Sequence, residues 1–362
     1  MDAANIWNKV RARYAKAVLG LKPSLAIKQL TSLPAYLEKM SVTDFISGVA
    51  DFVKNPKQAV QTLSNTTLMK TRDANIIRDL EELSKSDLLK NMQKAKGKIK
   101  WNDLLMLNIK LGDRGAIYVG GWAYYKSQLK KNLAKGMSAE EAQQKALQEF
   151  ERFTDETQQS GRMSQQSYWQ SNPMLRAFTM FTSSQNQYLR KELRAMRGLL
   201  TKRADKKQVA KTMFIYHLLL PMLFQWASDG FRWDKDAQLR VGVLGSLNGI
   251  FILNSILDNL FDMAVNGSNL YNSSMRIRDV LPFFAPIEDL IKDIANFDID
   301  DLDAESVLDV IKDFGEVAGI PTKYPLDVAQ NMGKYAEEDE YGKELLLWLG
   351  WSPYALRDLE SE

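Results

Sequence analysis

Apolar side chains recur at three- and four-residue spacing along most of this chain, the period of a helix with one buried face. Ile6, Trp7, Val10, Tyr14, Val18 and Leu21 form such a stripe, with Lys9, Arg13 and Lys16 largely outside it. Pro23, Pro34 and Pro56 then punctuate shorter elements, and Ser41-Val-Thr-Asp44 opens a helix through Phe45, Ile46, Val49 and Phe52. Residues 73–96 predict a charged helix with Ile76, Ile77, Leu80, Leu83, Leu88 and Leu89 on its apolar side, ended near Gly97. Leu104–Leu111 leads into Gly112 and a Gly120-Gly121 pair beside Trp122, where glycine permits close backbone approach or a kink. Gly136 stops that helix, and the capping box of Ser138 and Glu141 starts the next, with Ala142, Ala146, Phe150 and Phe153 on one face.

A glutamine-rich stretch, 157–173, ends at Asn172-Pro173, and proline there suits the first turn of a new helix. That helix is expected to bury Leu175, Phe178, Leu189, Leu193, Met196 and Leu200. Two apolar stretches follow, Met213–Ala227 and Val241–Val265, then an acidic region to about Asp313 and a closing Leu345–Pro353 segment. No alternating strand pattern and no internal repeat is present. The fold class expected is all-α: a multi-helix bundle with a central apolar helical hairpin. Its expected parts are basic amphipathic helices at 1–70, a basic helical domain with the glutamine-rich connector at 71–211, the hairpin at 212–266 and an acidic helical region at 267–362.

Composition narrows the chemistry. With 362 residues, 45% apolar and 26% charged, the chain has the make-up of a folded protein. It holds no cysteine, which excludes disulfides, thiolate metal sites and cysteine nucleophiles, and a single histidine, His217, which excludes multi-histidine metal sites. The basic N-terminus lacks the apolar core of a secretory signal.

Charge is split along the chain. Residues 1–211 carry 37 Lys/Arg against 19 Asp/Glu, a net +18, whereas residues 212–362 carry 11 against 26, a net −15. The basic half calls for an anionic partner, nucleic acid or an anionic leaflet, unless the two halves neutralise each other within one fold. The densest run lies just before the first apolar stretch: Arg190, Lys191, Arg194, Arg197, Lys202, Arg203, Lys206, Lys207 and Lys211, opposed by Glu192 and Asp205. Cations beside an apolar segment are what the positive-inside rule expects on a cytoplasmic flank. They equally suit phosphate backbones.

The apolar stretches set the membrane question. Met213–Ala227 has 15 residues, interrupted by His217, Pro221 and Gln225. At about 1.5 Å per residue it reaches roughly 22 Å, short of a ~30 Å hydrocarbon core. Val241–Val265 is long enough but carries Asn248, Asn254, Asp258, Asn259 and Asp262. A carboxylate at mid-membrane costs roughly 2.5–3.5 kcal/mol. Gly242, Gly245 and Gly249 nearly align as a small-residue seam for helix contact. The pair would be a poor autonomous anchor and is better suited to an oligomer, or to the centre of a soluble bundle.

Candidate catalysis is sparse. Asp298-Ile-Asp-Asp-Leu-Asp303 lacks the glycine and the spaced glutamate of a calcium loop. Glu149, Glu151, Asp155 and Glu156 lie on a charged helix with nothing to raise one carboxyl above the others. No phosphate-binding glycine loop is present, and His217 reads as a satisfied buried histidine. An enzyme is the least supported class, and no cofactor is implied.

An ordered series of short motifs adds one resemblance. It comprises Gly112-Asp113, Gly120-Gly121-Trp122, Gly136-Met-Ser-Ala-Glu-Glu-Ala142, Thr157-Gln-Gln-Ser160 and Asn172-Pro173. It continues through Arg176-Ala-Phe-Thr-Met-Phe181, Gln185-Asn-Gln-Tyr188, His217-Leu-Leu-Leu-Pro221 and Leu349-Gly-Trp-Ser352. Over residues 70–355 the chain resembles the C-terminal region of the internal, large polyvalent virion proteins of tailed bacteriophages. The resemblance implies a DNA-ejection protein, held in the virion interior and delivered with the genome to the host envelope or cytoplasm. It further implies oligomerisation with copies of itself, contact with other virion proteins, phage DNA and the host inner membrane, and a conduit across the envelope. It brings no catalytic residues. The rival expectation is a soluble structural module that binds DNA or partner proteins inside the particle.

Overall fold

A computed structural model describes residues 20–71, 107–158, 183–246, 321–337 and 341–352, together with Ala17, Asp289, 308–309, 311–313 and Leu356. Most of the helix expected at 6–21, the charged helix at 73–96, the connector beyond Gln158, Leu175, Phe178, Gly249, most of Val241–Val265, and Asp298–Asp303 lie outside those residues. Every described element is helical, with no strand among the described residues. The all-α expectation holds.

The helices, in chain order, begin with α1 (Ser24–Leu30), a 3-10 turn (Leu33–Lys39), α2 (Val42–Lys54) and α3 (Pro56–Ser64). The middle holds α4 (Leu107–Ala134), α5 (Ala139–Thr157), α6 (Ser183–Leu200) and α7 (Lys206–Met213). A π-turn (Phe214–Leu219) joins α7 to α8 (Leu220–Ser228), followed by α9 (Lys235–Leu244), α10 (Lys323–Glu337) and α11 (Tyr341–Trp348). Two starts are fixed by caps visible in the sequence. Ser41 Oγ accepts from the Asp44 N–H at the head of α2. At the head of α5 both halves of the Ser138–Glu141 box are made.

The tightly packed central hairpin is α4–α5, with α1 and α2 laid across α4. The crossings are close because glycines sit at them. A Cβ on Gly48 of α2 would come within 2.4 Å of the Ala123 Cα, and one on Gly112 within 2.5 Å of the Ala26 Cα. The backbones can therefore meet only where no side chain intervenes. The main core comprises Tyr36, Met40 and Leu63 from the first elements, Ile117, Trp122 and Tyr124 from α4, and Phe150 and Phe153 from α5. Tyr124 stacks on Phe153 at 4.7 Å, and the Tyr36 hydroxyl shares a 2.9 Å hydrogen bond with Thr154. The face read from Ala142, Ala146, Phe150 and Phe153 is buried as expected.

Trp122 reaches the edge of this core and donates to Asp51 at 2.7 Å, with Lys126 at 3.4 Å. Partial burial alone would raise the Asp51 carboxyl. The Trp122 hydrogen bond and the Lys126 charge outweigh it and hold the group below the usual carboxylate range. A carboxyl depressed by folding contributes stability above its unfolded pKa and loses it as pH falls through its folded one. Asp51→Asn is therefore expected to lower the urea midpoint at neutral pH and to leave it little changed once the pH has fallen below the folded pKa, which flattens the acid side of the profile.

The apolar run 213–227 folds, but not as one arm of a straight central hairpin. Pro221 has no N–H to offer the preceding turn, and the helix widens into the π-turn just ahead of it. The second arm also starts earlier than its apolar residues do. Asp234 caps α9 by accepting from the N–H groups of Asp236 and Ala237, and the helix ends at Gly245, whose φ is +53°. A continuous helix beginning at Val241 is corrected accordingly: a backbone in that region cannot carry an α-helix onward. No helix among the described residues is long and apolar enough to cross a membrane.

The closing segment returns to the start of the chain. The N–H of Ser24 donates to the Leu349 carbonyl at 2.6 Å, and Trp351 donates its indole N–H to the Ala227 carbonyl at 2.9 Å, tying α11 to α1 and α8.

Candidate anionic-surface site

The basic run falls on α6, the turn after it and α7. On an α-helix at about 100° per residue, Gln187, Lys191 and Glu192 share one side, and Leu193, Met196 and Leu200 fall within a sector about 60° wide on the other. Arg190, Arg194 and Arg197 occupy the adjoining sector.

Polar residues, not leucines, face inward. Lys191 is buried and its Nζ lies 2.9 Å from Glu38 Oε2 and 3.7 Å from Glu156 Oε2. The same Glu38 oxygen accepts from the Tyr216 hydroxyl at 2.8 Å. The Lys191 ammonium also stands over the rings of Phe153 and Tyr216. Burial, with Glu38 beside it, pushes the Tyr216 hydroxyl well above its ordinary pKa, so it remains a donor. Gln187 donates to the carbonyls of Glu156 and Gln158. Glu192 meets His217 Nδ1 at 3.1 Å.

These partners fix the roll of α6, and its outward side carries aliphatic residues beside Arg194 and Arg197. Leu193 is 55% exposed, Met196 48% and Leu200 82%. The expected burial of these three residues is thus overturned. Pairing Lys191 with Glu38, Glu192 with His217 and Gln187 with two carbonyls inside outweighs burying three aliphatic side chains, because a buried charge without its partner costs several kcal/mol.

Of the nine cations, Arg194, Arg197, Lys202, Arg203, Lys206 and Lys207 are exposed. Arg190 is half-buried and bonds the Asn186 carbonyl, and burial followed by the neighbouring Arg194 lowers its pKa. Lys211, half-buried, donates to the Met40 carbonyl at 2.7 Å. Burial, then the charge of Lys131, lowers its pKa. Lys191 belongs to the interior pair and does not present its charge to a partner. Among the exposed cations between Arg194 and Lys207 the only carboxylate is Asp205, itself exposed.

The turn that displays them is a helix stop with both reverse hydrogen bonds. The Lys202 N–H donates to the Leu199 carbonyl and the Arg203 N–H to the Gly198 carbonyl, with Lys202 at φ +56°. Glycine is the usual residue there, because a Cβ in this conformation costs roughly 1–2 kcal/mol. Lys202→Gly is expected to stabilise the chain by about 1 kcal/mol, read as a rise in the urea midpoint.

The small-residue seam is placed in part. A Cβ on Gly242 would lie 3.3 Å from Leu218 Cδ1, and one on Gly245 2.2 Å from His217 Nδ1. Both glycines therefore face the π-turn. His217 is held between Glu192 and Gly245. Around them α9 buries Val241 and Leu244 together with Gln238. Gln238 and Ser246 are buried with no hydrogen-bond partner among the described residues, whereas Leu239 and Val243 are exposed.

The residues that sequence reasoning missed are Glu38, Tyr216 and Gln187, which organise the site from inside. Lys191 and Glu38 stand 153 positions apart, and no local spacing signals such a pair. Compared with known proteins, the chain matches no family model, no curated protein and no solved structure.

Proposed function

We propose that the chain is a non-enzymatic virion protein of a tailed bacteriophage, packaged and ejected with the genome, which oligomerises to help form a conduit across the host envelope. The ordered motifs set out above suggest the family. The observation that carries the reading is the burial pattern of α6, with Gln187, Lys191 and Glu192 within and Leu193, Met196 and Leu200 without. A chain that lives alone in water gains nothing by exposing Leu193, Met196 and Leu200 along one side of a helix. A chain that ends its work against lipid or further copies of itself does. Its helices need not span singly, since an oligomer shares the burial of polar groups among copies.

The rival, a soluble module on DNA inside the particle, draws on the six exposed cations from Arg194 to Lys207. Phosphate contacts would use those cations and leave the aliphatic sector idle. Release of a trapped dye from anionic vesicles, with co-sedimentation of the protein, tests the main reading. A monomer that ignores vesicles but retains DNA in a salt-dependent manner would replace it with the rival.

A further inference from the structure

We infer that α6 is an in-plane anchor for an anionic bilayer, with Leu193, Met196 and Leu200 dipping below the headgroups and Arg194 and Arg197 on the phosphates. The inference rests on the envelope reading above and names the surface and the mode of contact. Three observations support it. First, α6 has 18 residues, about 27 Å of helix, and carries Arg190, Lys191, Glu192, Arg194 and Arg197. It is both too short and too charged to cross a hydrocarbon core of about 30 Å. Second, its aliphatic and cationic sectors adjoin along one exposed side. This is the arrangement of a helix lying in the headgroup boundary, with the guanidinium groups at the depth of the phosphates.

Third, the interior contacts of Lys191 with Glu38, and of Glu192 with His217, hold that side outward before any partner arrives. The anchor is therefore preformed, with no ordering cost to be met on binding. Charge complementarity selects an anionic leaflet: six exposed cations lie between Arg194 and Lys207. A neutral protein groove would have no use for them, and a nucleic-acid backbone no use for the leucines.

The chain has no cysteine, so one introduced thiol gives one label. Met196→Cys would carry an environment-sensitive nitrobenzoxadiazole dye, with Glu140→Cys on α5 as the control. With vesicles of phosphatidylglycerol and phosphatidylcholine, the label at 196 is expected to shift to the blue and escape an aqueous quencher. The label at 140 stays in water, and pure phosphatidylcholine gives a much weaker response.

Arg194→Gln with Arg197→Gln should weaken vesicle affinity about 10–30-fold at low salt, taking roughly 1 kcal/mol per charge. Leu193→Gln with Leu200→Gln should abolish the shift. Both leucines are exposed, so an unchanged unfolding midpoint is expected to show that the fold is intact. If the protein binds vesicles and releases dye while the label at 196 remains open to quencher, the anchor is wrong and the conduit reading stands. If the protein binds no vesicle at all, both fall. If the glutamine-for-leucine variant binds as well as the parent and DNA competes through the arginines alone, the site is a phosphate-backbone surface instead.

Discussion

Lys191→Met is expected to cost about 3–5 kcal/mol, among the largest losses available to a single substitution in this chain. Domains of ordinary stability have about 5–15 kcal/mol in total. The substitution removes one partner of a buried pair and leaves the other in place. Glu38 would keep its carboxylate under the 3-10 turn with only the Tyr216 hydroxyl to answer it. The size of the loss comes from the stranded charge and not from the net worth of the pair, and the second substitution separates the two. Lys191→Met with Glu38→Leu replaces both ions by aliphatic groups and should recover most of the loss. A remainder of about 1–2 kcal/mol is left for the orphaned Tyr216 hydroxyl, and Tyr216→Phe should then remove it. Urea unfolding of the single, double and triple variants gives the three numbers. A single variant within 1 kcal/mol of the parent would mean that Lys191 is not buried against Glu38. The outward roll of α6 would then have lost its cause.

The sequence announced those features that depend on neighbours in the chain. Ser41 and the Ser138–Glu141 box mark helix starts because a cap bonds an N–H two or three residues away. The face of α5 is legible because Ala142, Ala146, Phe150 and Phe153 recur at the helical period. The side that α6 buries is not legible this way. Its period is equally helical whichever side turns inward, and the choice is made by Glu38, Glu156 and His217 on other elements. The hairpin was misplaced for a related reason. Apolar runs draw the eye to 213–265, yet the tightly packed central hairpin is α4–α5, where glycine and aromatic residues interlock and hydropathy is ordinary. Likewise, Gly245 looks like a packing glycine in sequence. In the structure it packs against His217 and also ends α9, a double duty that only its positive φ reveals. For the candidate site the identity of the cations was legible and their exposure was not. Lys191 and Lys211 read like their neighbours, although one is interior and the other is tied to the Met40 carbonyl.

The same interlocking predicts that two damaging substitutions in the central hairpin should partly repair each other. Phe150 is fully buried, and its ring fills the space over Gly121, where an added Cβ would stand 2.3 Å from Phe150 Cε2. Phe150→Ala should cost about 3–5 kcal/mol through lost burial and the cavity left behind. Gly121→Leu should cost about 1–3 kcal/mol by forcing the ring or the helix aside. That loss is blunted by roughly 1 kcal/mol, because leucine is a better helix former than glycine. In the double variant the leucine side chain enters the volume the phenyl ring has vacated. The sum of the single losses should therefore exceed the double loss by about 1–3 kcal/mol, the range found for side chains in direct contact. Strict additivity would place Phe150 and Gly121 out of contact and undo the account of how α4 and α5 approach. A positive coupling would tie the glycine pair to its function in the fold: Gly121 is vacant so that an aromatic ring from the neighbouring helix can occupy its place.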